Sequence, residues 1–317
     1  MKIGFIGLGN VGGKLAGSLI RNGHEVTVRD LDDALVAEYV ARGASSAASP
    51  KELGEAVDLI ITCLPSPAAS SAVAEGEDGF LQVMRQGQVW LEMSTTDYSE
   101  IIRLGALVEA RGAMFMECPV SGGCHRADTG NIAIFAGGPR AAFEFVLPVL
   151  TTMGRRILHT GDLGTASQLK VMTNYLCTVH LVALAEALTT CKAIGLDMNL
   201  TYEAIRISSG NSFVHETESQ VILNGSRDIN FTMDLVSKDV GLFDKIAHAA
   251  NVPVELSPLI VKIFKEGEEA FGSREFSPNI IRRYEEPLGI KVLGTGFPAD
   301  MVDDEPEERG YEVVPKR

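Results

Sequence analysis

Three glycines near the amino terminus are spaced so that the backbone between them could hold a phosphate. The run is Gly7-Leu8-Gly9-Asn10-Val11-Gly12. The first glycine permits a tight turn, the second lets a ligand approach the backbone, and the third lets a helix pack closely on a strand. A strand pattern at Lys2–Ile6 precedes the run and a helical pattern at Gly12–Asn22 follows it, so free N–H groups at the helix start would face the same ligand. The run predicts a pyrophosphate site; a glycine turn that only packs is the alternative.

A carboxylate at the end of the second predicted strand extends this site. Glu25–Arg29 is typical of a strand, and Asp30 follows it, eighteen residues after Gly12. A carboxylate there can accept both ribose hydroxyls of NAD and would repel the 2′-phosphate of NADP. Arg29 could pair with that phosphate, but alternation along a strand directs it to the opposite face. We therefore predict a nicotinamide dinucleotide cofactor, with NAD preferred and NADP possible.

A second loop combines a hydroxyl group with two glycines. The run Pro119-Val120-Ser121-Gly122-Gly123 follows a predicted strand that ends at Glu117. Backbone N–H groups in such a loop can bind a small anion, typically a carboxylate. An ordinary turn fits these residues equally well, and both interpretations remain open.

A lysine and an asparagine lie on one face of a long apolar helix. Residues Thr165–Ile194 contain no proline or glycine, and Lys170 and Asn174 are four positions apart within them. Burial disfavours the charged form of a lysine and lowers its pKa, which suits the side chain to donate and accept protons. The alternative is a lysine whose charged end reaches the surface or pairs with a carboxylate.

The order of predicted elements indicates two domains and a tail. Strand patterns alternate with helices in the first half, as in a doubly wound, mostly parallel sheet. The later strand patterns are Leu59–Leu64, Val89–Met93, Met114–Glu117 and Asn131–Ala136. After about residue 163 only helical patterns follow, so we predict an α/β cofactor-binding domain at 1–163 and an all-α domain at 164–286. Residues 287–317 are rich in glycine, proline and acids and predict an irregular acidic tail that wraps the surface or a partner subunit, or is disordered.

Charge and cysteine content exclude several classes of protein. The 317 residues carry 28 Lys+Arg and 42 Asp+Glu, a net charge of −14, so neither nucleic acid nor an anionic membrane is an expected partner. The five cysteines show no zinc-like or C-x-x-C spacing, which predicts reduced thiols and no metal site. The N-terminus has no signal-peptide pattern, and Asn174, His180 and Glu186 interrupt the apolar helix. We expect a cytoplasmic protein.

Taken together, the motifs resemble the β-hydroxyacid dehydrogenase family. The resemblance spans residues 2–285 and consists of four motifs in the family's order and spacing. They are the glycine run at 7–12, the loop at 119–123, Gly161-x-x-Gly164 with Lys170 and Asn174, and Lys238-Asp239. It implies a Rossmann domain, then a helical domain joined to it by the long helix, with an active site in the cleft between them.

The resemblance also implies roles for individual residues. Lys170 would be the general acid/base, taking the proton of the substrate's 3-hydroxyl as hydride passes to the nicotinamide. Ser121, Gly122 and Gly123 would hold the substrate carboxylate, and Asn174 would orient the substrate. The residues implied to contact the cofactor are Gly7, Gly9, Asn10, Val11, Gly12, Asp30, Leu64, Pro65, Thr95 and Lys238, with Asp239 supporting Lys238. The implied substrate is a small anionic hydroxy acid, such as 3-hydroxyisobutyrate, glycerate, L-serine or a larger or sulfonated 3-hydroxy acid.

The sequence departs from the family pattern at a few positions. Val11 stands where methionine is common, and His125-Arg126 follow the carboxylate loop where many relatives have small residues. These two side chains could recognise a further anionic or hydroxyl group on the substrate, or face solvent or an adjacent subunit. The apolar helix and the long tail favour a homodimer or homotetramer.

Two related activities and one non-catalytic role fit the sequence less well. An NADP-dependent imine reductase of this architecture generally has another residue at the position of Lys170. A non-catalytic scaffold relative should have lost that lysine or gained a basic arm. A 6-phosphogluconate dehydrogenase needs a longer helical domain. The sequence therefore favours a dehydrogenase that interconverts a 3-hydroxy acid and its semialdehyde or 3-oxo acid.

Overall fold

The computed structural model describes residues 1–316, which form two compact units. The first unit comprises Met1–Lys170 together with the chain from Asp304 onward, and the second comprises Val171–Asp303. The sequence-based boundaries at 163/164 and 286/287 differ from this division. The first turn of the long helix belongs to the first unit, and the stretch predicted as a tail is shared between both units. Residue 317 lies outside the described residues.

The first unit is built on a ten-stranded sheet. Its strands are β1 (Ile3–Ile6), β2 (Val26–Arg29), β3 (Ser45–Ser46), β4 (Leu59–Thr62), β5 (Val89–Glu92), β6 (Met114–Glu117), β7 (Val120–Ser121), β8 (Ala133–Gly137), β9 (Arg156–Gly161) and β10 (Tyr311–Glu312). The order is β10-β9-β8-β6-β5-β4-β1-β2-β3, with β7 beside β8, and only the β6–β8 and β7–β8 pairs are antiparallel. The segment β3-β2-β1-β4-β5-β6 has the Rossmann order, which reverses between β1 and β4 and opens a ligand crevice there. The predicted α/β Rossmann fold is confirmed.

Helices cover both faces of this sheet. They are α1 (Gly12–Arg21), α2 (Asp33–Ala41), α3 (Pro50–Ala56), α4 (Pro67–Glu75), α5 (Tyr98–Glu109), α6 (Cys124–Asp128) and α7 (Arg140–Met153), with a 3₁₀ turn at Phe80–Gln82. Every residue of β1, β4 and β5 is buried, as expected for parallel strands covered on two sides. Helix α4 begins at Pro67 because Ser66 accepts a hydrogen bond from the Ala69 amide and proline suits the first helical position.

The second unit is helical. Its elements are α8 (Thr165–Ala193), which begins in the first unit, then α9 (Met198–Arg206), α10 (Phe213–Asn224), α11 (Met233–Ala249), α12 (Leu256–Phe271), a 3₁₀ turn at Ser277–Ile281 and α13 (Arg282–Leu288). Leu181, Ala185 and Leu188 of α8 pack with Ile222 and Phe264 in its core. The predicted all-helical domain is confirmed.

Within residues 1–316, α8 is the one helix long and apolar enough to cross a membrane by length and composition alone. Such a property is weak evidence, because core helices of folded domains share it. Leu181, Ala185 and Leu188 lie in the core of the second unit, whereas Leu176 is 52% exposed. Helix α8 is therefore a partly covered core helix.

The stretch predicted as a tail is held on each unit in turn. Residues before Asp304 pack on the second unit, where the Gly294 amide donates to the Leu223 carbonyl and Val292 is fully buried. Beyond Asp304 the chain adds β10 to the edge of the sheet beside β9. Its acidic side chains form ion pairs with arginines of the first unit. The pairs are Arg21–Glu307, Arg140–Glu312, Arg155–Glu308 and Arg156–Glu305.

Candidate active site

The glycine run forms a tight turn between β1 and α1. Gly7 has a φ of +99°, and a Cβ on it would lie 2.3 Å from the Cys63 carbonyl oxygen. A Cβ on Gly12 would lie 2.1 Å from the Gly7 carbonyl oxygen, whereas nothing lies within 4 Å of the Cβ position of Gly9. The first and third glycines are therefore required by the turn itself. The open space at Gly9 and the start of α1 fit a pyrophosphate group.

Asp30 ties the end of β2 to this turn. Its carboxylate accepts a hydrogen bond of 2.6 Å from the Leu8 amide and another of 3.0 Å from the Asp32 amide. The carboxylate is therefore fixed beside the glycine turn, at the position from which it would reach the ribose of a bound dinucleotide.

The ends of β4 and β5 are joined by a polar network. The Leu64 amide donates to the Ser94 hydroxyl at 2.8 Å, and the Ser94 amide donates to Glu92 at 2.8 Å. Glu92 is fully buried, and burial raises the pKa of its carboxyl, with hydrogen bonds from Ser94 opposing the change. The network fixes the segments that begin at Leu64 and Ser94, next to the predicted cofactor contacts Pro65 and Thr95.

The thiol of Cys63 lies near the charge of Glu92 in this network. Burial raises the pKa of Cys63 to about 12, so this residue stays a thiol at neutral pH. Among residues 1–316, no group of three or more His, Cys, Asp or Glu side chains is arranged to hold a metal ion.

The predicted carboxylate loop leaves β6 and returns through β7. Ser121 pairs with Ala133 of β8, and the two glycines that follow have positive φ values, +130° at Gly122 and +88° at Gly123. Side-chain-bearing residues rarely adopt such angles, so the two glycines are needed for the shape of this loop. A Cβ on Gly122 would lie 3.2 Å from Cδ of Arg126, which places the stem of Arg126 against the loop.

Lys170 lies in the second turn of α8, and a glutamate fixes the first turn. Lys170 is buried, with 7% of its surface exposed. The carboxylate of Glu117, the last residue of β6, accepts hydrogen bonds from the amides of Gly164 at 2.6 Å, Ala166 at 3.0 Å and Ser167 at 2.9 Å. The Ser167 hydroxyl also donates to it. This carboxylate takes the place of a capping residue at the start of α8.

Asn174, Lys238 and Asp239 meet within the second unit. The Asn174 side-chain amide donates to the Asp239 carboxylate at 2.5 Å, and the Lys238 ammonium lies 3.0 Å from the same carboxylate. Asp239 is 2% exposed. Because the amide nitrogen of Asn174 is bound to Asp239, its carbonyl oxygen is directed away from that carboxylate.

Two buried glutamates of this region were not predicted from the sequence. Glu117 and Glu92 both end strands whose other residues are apolar, which is an unusual place for a carboxylate. That position was the available signal. The structure places the predicted cofactor residues of the first unit at the carboxyl ends of β1, β2, β4 and β5, the Ser121–Gly123 loop after β6, and Lys170 on α8. It groups Asn174, Lys238 and Asp239 in the second unit.

Two family models match consecutive parts of the chain. The NAD binding domain of 6-phosphogluconate dehydrogenase matches residues 2–161. The model described as NAD-binding of NADP-dependent 3-hydroxyisobutyrate dehydrogenase matches residues 164–284. Residues 2–161 are thus shown to form an NAD-binding domain, as the glycine run predicts.

Similar proteins cover nearly the full chain. A 2-(hydroxymethyl)glutarate dehydrogenase from Eubacterium barkeri is 34% identical over 295 residues, covering 93% of this chain and 98% of that protein. The mitochondrial 3-hydroxyisobutyrate dehydrogenase of Mus musculus is 32% identical over 283 residues, covering 87% of this chain and 84% of that protein.

Solved structures of similar proteins share the fold of this chain. A 3-hydroxyisobutyrate dehydrogenase from Salmonella typhimurium superposes with a TM-score of 0.82 at 27% identity, covering 89% of this chain and 99% of that one. An imine reductase from Myxococcus stipitatus, at 16% identity, has a TM-score of 0.62 and covers 90% of this chain and 99% of that one. The imine reductase shares the fold alone.

Proposed function

The chain belongs to the β-hydroxyacid dehydrogenase family and is an NAD(P)-dependent oxidoreductase acting on a CH–OH group, and from that premise we propose that it interconverts a small 3-hydroxy acid and its semialdehyde or 3-oxo acid. The observation that carries this proposal is the position of Lys170. It is a buried lysine one turn beyond a helix start that is hydrogen-bonded to the strand leading into the Ser121–Gly123 loop.

The chemistry needs a hydride acceptor and a base. The bound nicotinamide supplies the hydride acceptor when the 3-hydroxy acid is oxidised. The Lys170 amine accepts the proton of the 3-hydroxyl while the C–H hydrogen leaves with its electron pair, so the carbon–oxygen bond becomes a carbonyl. In reduction the Lys170 ammonium returns the proton to the carbonyl oxygen.

The other predicted residues position the two reactants. Ser121, with the backbone N–H groups of Gly122 and Gly123, binds the substrate carboxylate. Asn174 orients the substrate next to Lys170, and its attachment to Asp239 fixes the direction of its carbonyl oxygen.

The cofactor would bind along the carboxyl ends of the parallel strands. The glycine turn at 7–12 would hold its phosphates, the segments at Leu64, Pro65 and Thr95 would line its binding cleft, and Lys238 would contact it. Asp30 accepts the ribose hydroxyls and disfavours a 2′-phosphate, so NAD is preferred over NADP.

The substrate carries either one carboxylate or two. The Eubacterium barkeri relative is named for a hydroxymethyl dicarboxylic acid, and the Mus musculus relative is named for a monocarboxylic one. The Arg126 stem lies against Gly122 of the carboxylate loop, and we propose that its guanidinium, a group that binds carboxylates well, meets a second anionic group on the substrate.

The proposal is tested by cofactor reduction, followed at 340 nm, with a panel of 3-hydroxy acids. The panel comprises 3-hydroxyisobutyrate, glycerate, L-serine, 2-(hydroxymethyl)glutarate and a sulfonated 3-hydroxy acid, each assayed with NAD and with NADP. We expect turnover of at least one of them, faster with NAD. Turnover of cyclic imines with NADPH and of none of the hydroxy acids would overturn the proposal.

A further inference from the structure

A buried carboxylate joins three parts of the first unit. Glu117 ends β6, and all of its side-chain hydrogen bonds to the first turn of α8 come from residues about fifty positions later in the chain. Gly137 of β8 packs against the same carboxylate, because a Cβ there would lie 2.4 Å from Oε1 of Glu117. No side chain larger than hydrogen fits at Gly137 while Glu117 keeps this position.

The hydrogen bonds account for both oxygens of the carboxylate. Oε1 accepts from the amides of Gly164 and Ala166, and Oε2 accepts from the amide and the hydroxyl of Ser167. All three amides are donors only, so the set matches an ionised carboxylate at a helix N-terminus, where negative charge is favourable. Burial raises the pKa of Glu117, and the hydrogen bonds from Ser167, Ala166 and Gly164 oppose that change.

We call the hydrogen bonds of Glu117 to the first turn of α8 the Glu117 anchor. In the chain it lies between Lys170 and the Ser121–Gly123 loop. Toward the C-terminus, Lys170 follows Ser167 by three residues, about one helical turn. On the strand side, Glu117 is followed after Cys118 and Pro119 by β7 and the loop at Ser121–Gly123. A displacement of α8 relative to β6 therefore changes the distance from Lys170 to the carboxylate loop.

We propose that Glu117 is a positioning residue, which holds the first turn of α8 on β6 so that the Lys170 amine and the Ser121–Gly123 loop face one substrate in fixed geometry. The inference rests on the proposed role of Lys170, and it assigns Glu117 no contact with substrate or cofactor. A buried carboxylate is retained here because only an acceptor with two oxygens satisfies the four donors of the helix start.

Glu117→Gln tests the hydrogen bonds most selectively, because it keeps the volume of the side chain. Its NH₂ group would face amide donors in place of an acceptor oxygen, so the helix start loses hydrogen bonds without losing packing. We expect kcat to fall about 10- to 100-fold, the size of effect that follows a misplacement of reacting groups by an ångström. The KM for NAD should stay unchanged, because β5 and β4 separate β6 from the strands β1 and β2 that carry the glycine turn and Asp30. Ser167→Ala removes one donor of the four and should give a smaller loss.

A double-mutant cycle with Lys170→Ala separates positioning from general destabilisation. If Glu117 acts through Lys170, then Glu117→Gln lowers kcat in the wild-type background and has no further effect in the Lys170→Ala background. Equal losses in both backgrounds would overturn the proposal. If Lys170→Ala itself left kcat unchanged, the proposed function would fail instead.

Deuterium exchange gives a readout that does not depend on activity. In Glu117→Gln the amides of Gly164, Ala166 and Ser167 should exchange faster than in the wild type, and unchanged exchange would overturn the anchor. Glu285→Gln is the matched control, because Glu285 is also buried and accepts from Arg227 at 2.6 Å and from the Val292 amide at 2.7 Å in the second unit. It should lower the unfolding temperature while kcat and exchange at residues 164–167 remain those of the wild type.

Discussion

Asp30 holds the glycine turn and, in the proposed function, also selects the cofactor. One of its oxygens accepts from the Leu8 amide and the other from the Asp32 amide. A change at this position therefore alters both the shape of the turn and its charge. A variant that keeps one carbonyl oxygen separates the two effects better than a truncation does.

For this reason Asp30→Asn tests the cofactor preference. Removing the negative charge weakens the hydrogen bonds to the ribose hydroxyls and removes the repulsion of a 2′-phosphate. We expect the ratio of kcat/KM for NAD to that for NADP to fall about 10- to 100-fold, the worth of a hydrogen bond to a charged group. Steady-state kinetics with both cofactors measure it. Asp32→Asn is the control, since the Asp32 side chain caps α2 through the Ala34 amide and the Asp32 amide that donates to Asp30 is kept. An unchanged ratio in Asp30→Asn would show that Asp30 does not select the cofactor.

The variant Arg126→Ala tests the proposed preference for a substrate with two anionic groups. The stem of Arg126 lies against Gly122 of the carboxylate loop, and the proposed function gives its guanidinium a second anionic group of the substrate to bind. Arg126→Ala should raise the KM for a dicarboxylic hydroxy acid about tenfold or more, as expected for losing a charge-assisted hydrogen bond, and leave the KM for 3-hydroxyisobutyrate unchanged. Equal changes for both substrates would show that Arg126 supports the loop rather than the substrate.

Strands and turns that depend on neighbouring residues alone were predictable from the sequence. The strands β1, β2, β4, β5, β6 and β8 follow from apolar runs, and the turn after β1 follows from its glycines. Strand β10 did not follow, because its residues are polar and its place is decided by distant partners such as Arg140, which pairs with Glu312. The Glu117 anchor was missed for the same reason, since its donors begin at Gly164.

The packing of β10 near the end of the chain depends on a glycine. Gly310 packs so closely on Gly154 that a Cβ would lie 1.9 Å from the Gly154 carbonyl oxygen. Gly310→Ala should therefore release β10 and the segment after Asp304. We expect faster limited proteolysis within residues 304–316 and a lower unfolding temperature. Gly210→Ala is the control, because its Cβ meets only the Ser208 hydroxyl, at 3.4 Å. Equal protection of the segment in the Gly310 variant would refute this packing.

At the scale of the whole molecule, a buried carboxyl sets part of the pH dependence of stability. Burial in the second unit raises the pKa of Glu218 from 4.5 to about 8. Below the lower value both the folded and the unfolded chain bind this proton. As pH rises toward the higher value only the unfolded chain releases it, so the free energy of unfolding falls by up to about 1.4 kcal/mol per pH unit and then levels off.

Glu218→Gln should abolish this contribution. The variant's free energy of unfolding relative to the wild type should increase between pH 5 and pH 8, measured by urea denaturation at each pH. Glu269→Gln, at an exposed position of α12, serves as the control. If the difference between Glu218→Gln and the wild type did not change with pH, the carboxyl would be ionised in the folded chain.

The sequence predicted both kinds of domain, but the division of the chain at Lys170 and Asp304 was not predictable from composition. It depends on which unit each segment packs against, as the contacts of Gly164 with Glu117 and of Gly294 with Leu223 show. The residues proposed for chemistry were found because their types and spacing form motifs.

The role of Lys170 is tested most directly by comparing chemistry and binding in one variant. Lys170→Ala should lower kcat for the best 3-hydroxy acid about 10²- to 10⁴-fold, the usual contribution of a general acid/base, while the Kd for NAD measured by calorimetry stays that of the wild type. Lys192→Ala, on the last turn of the same helix, should leave both unchanged. A Lys170→Ala variant with nearly wild-type kcat would show that Lys170 is not the general acid/base.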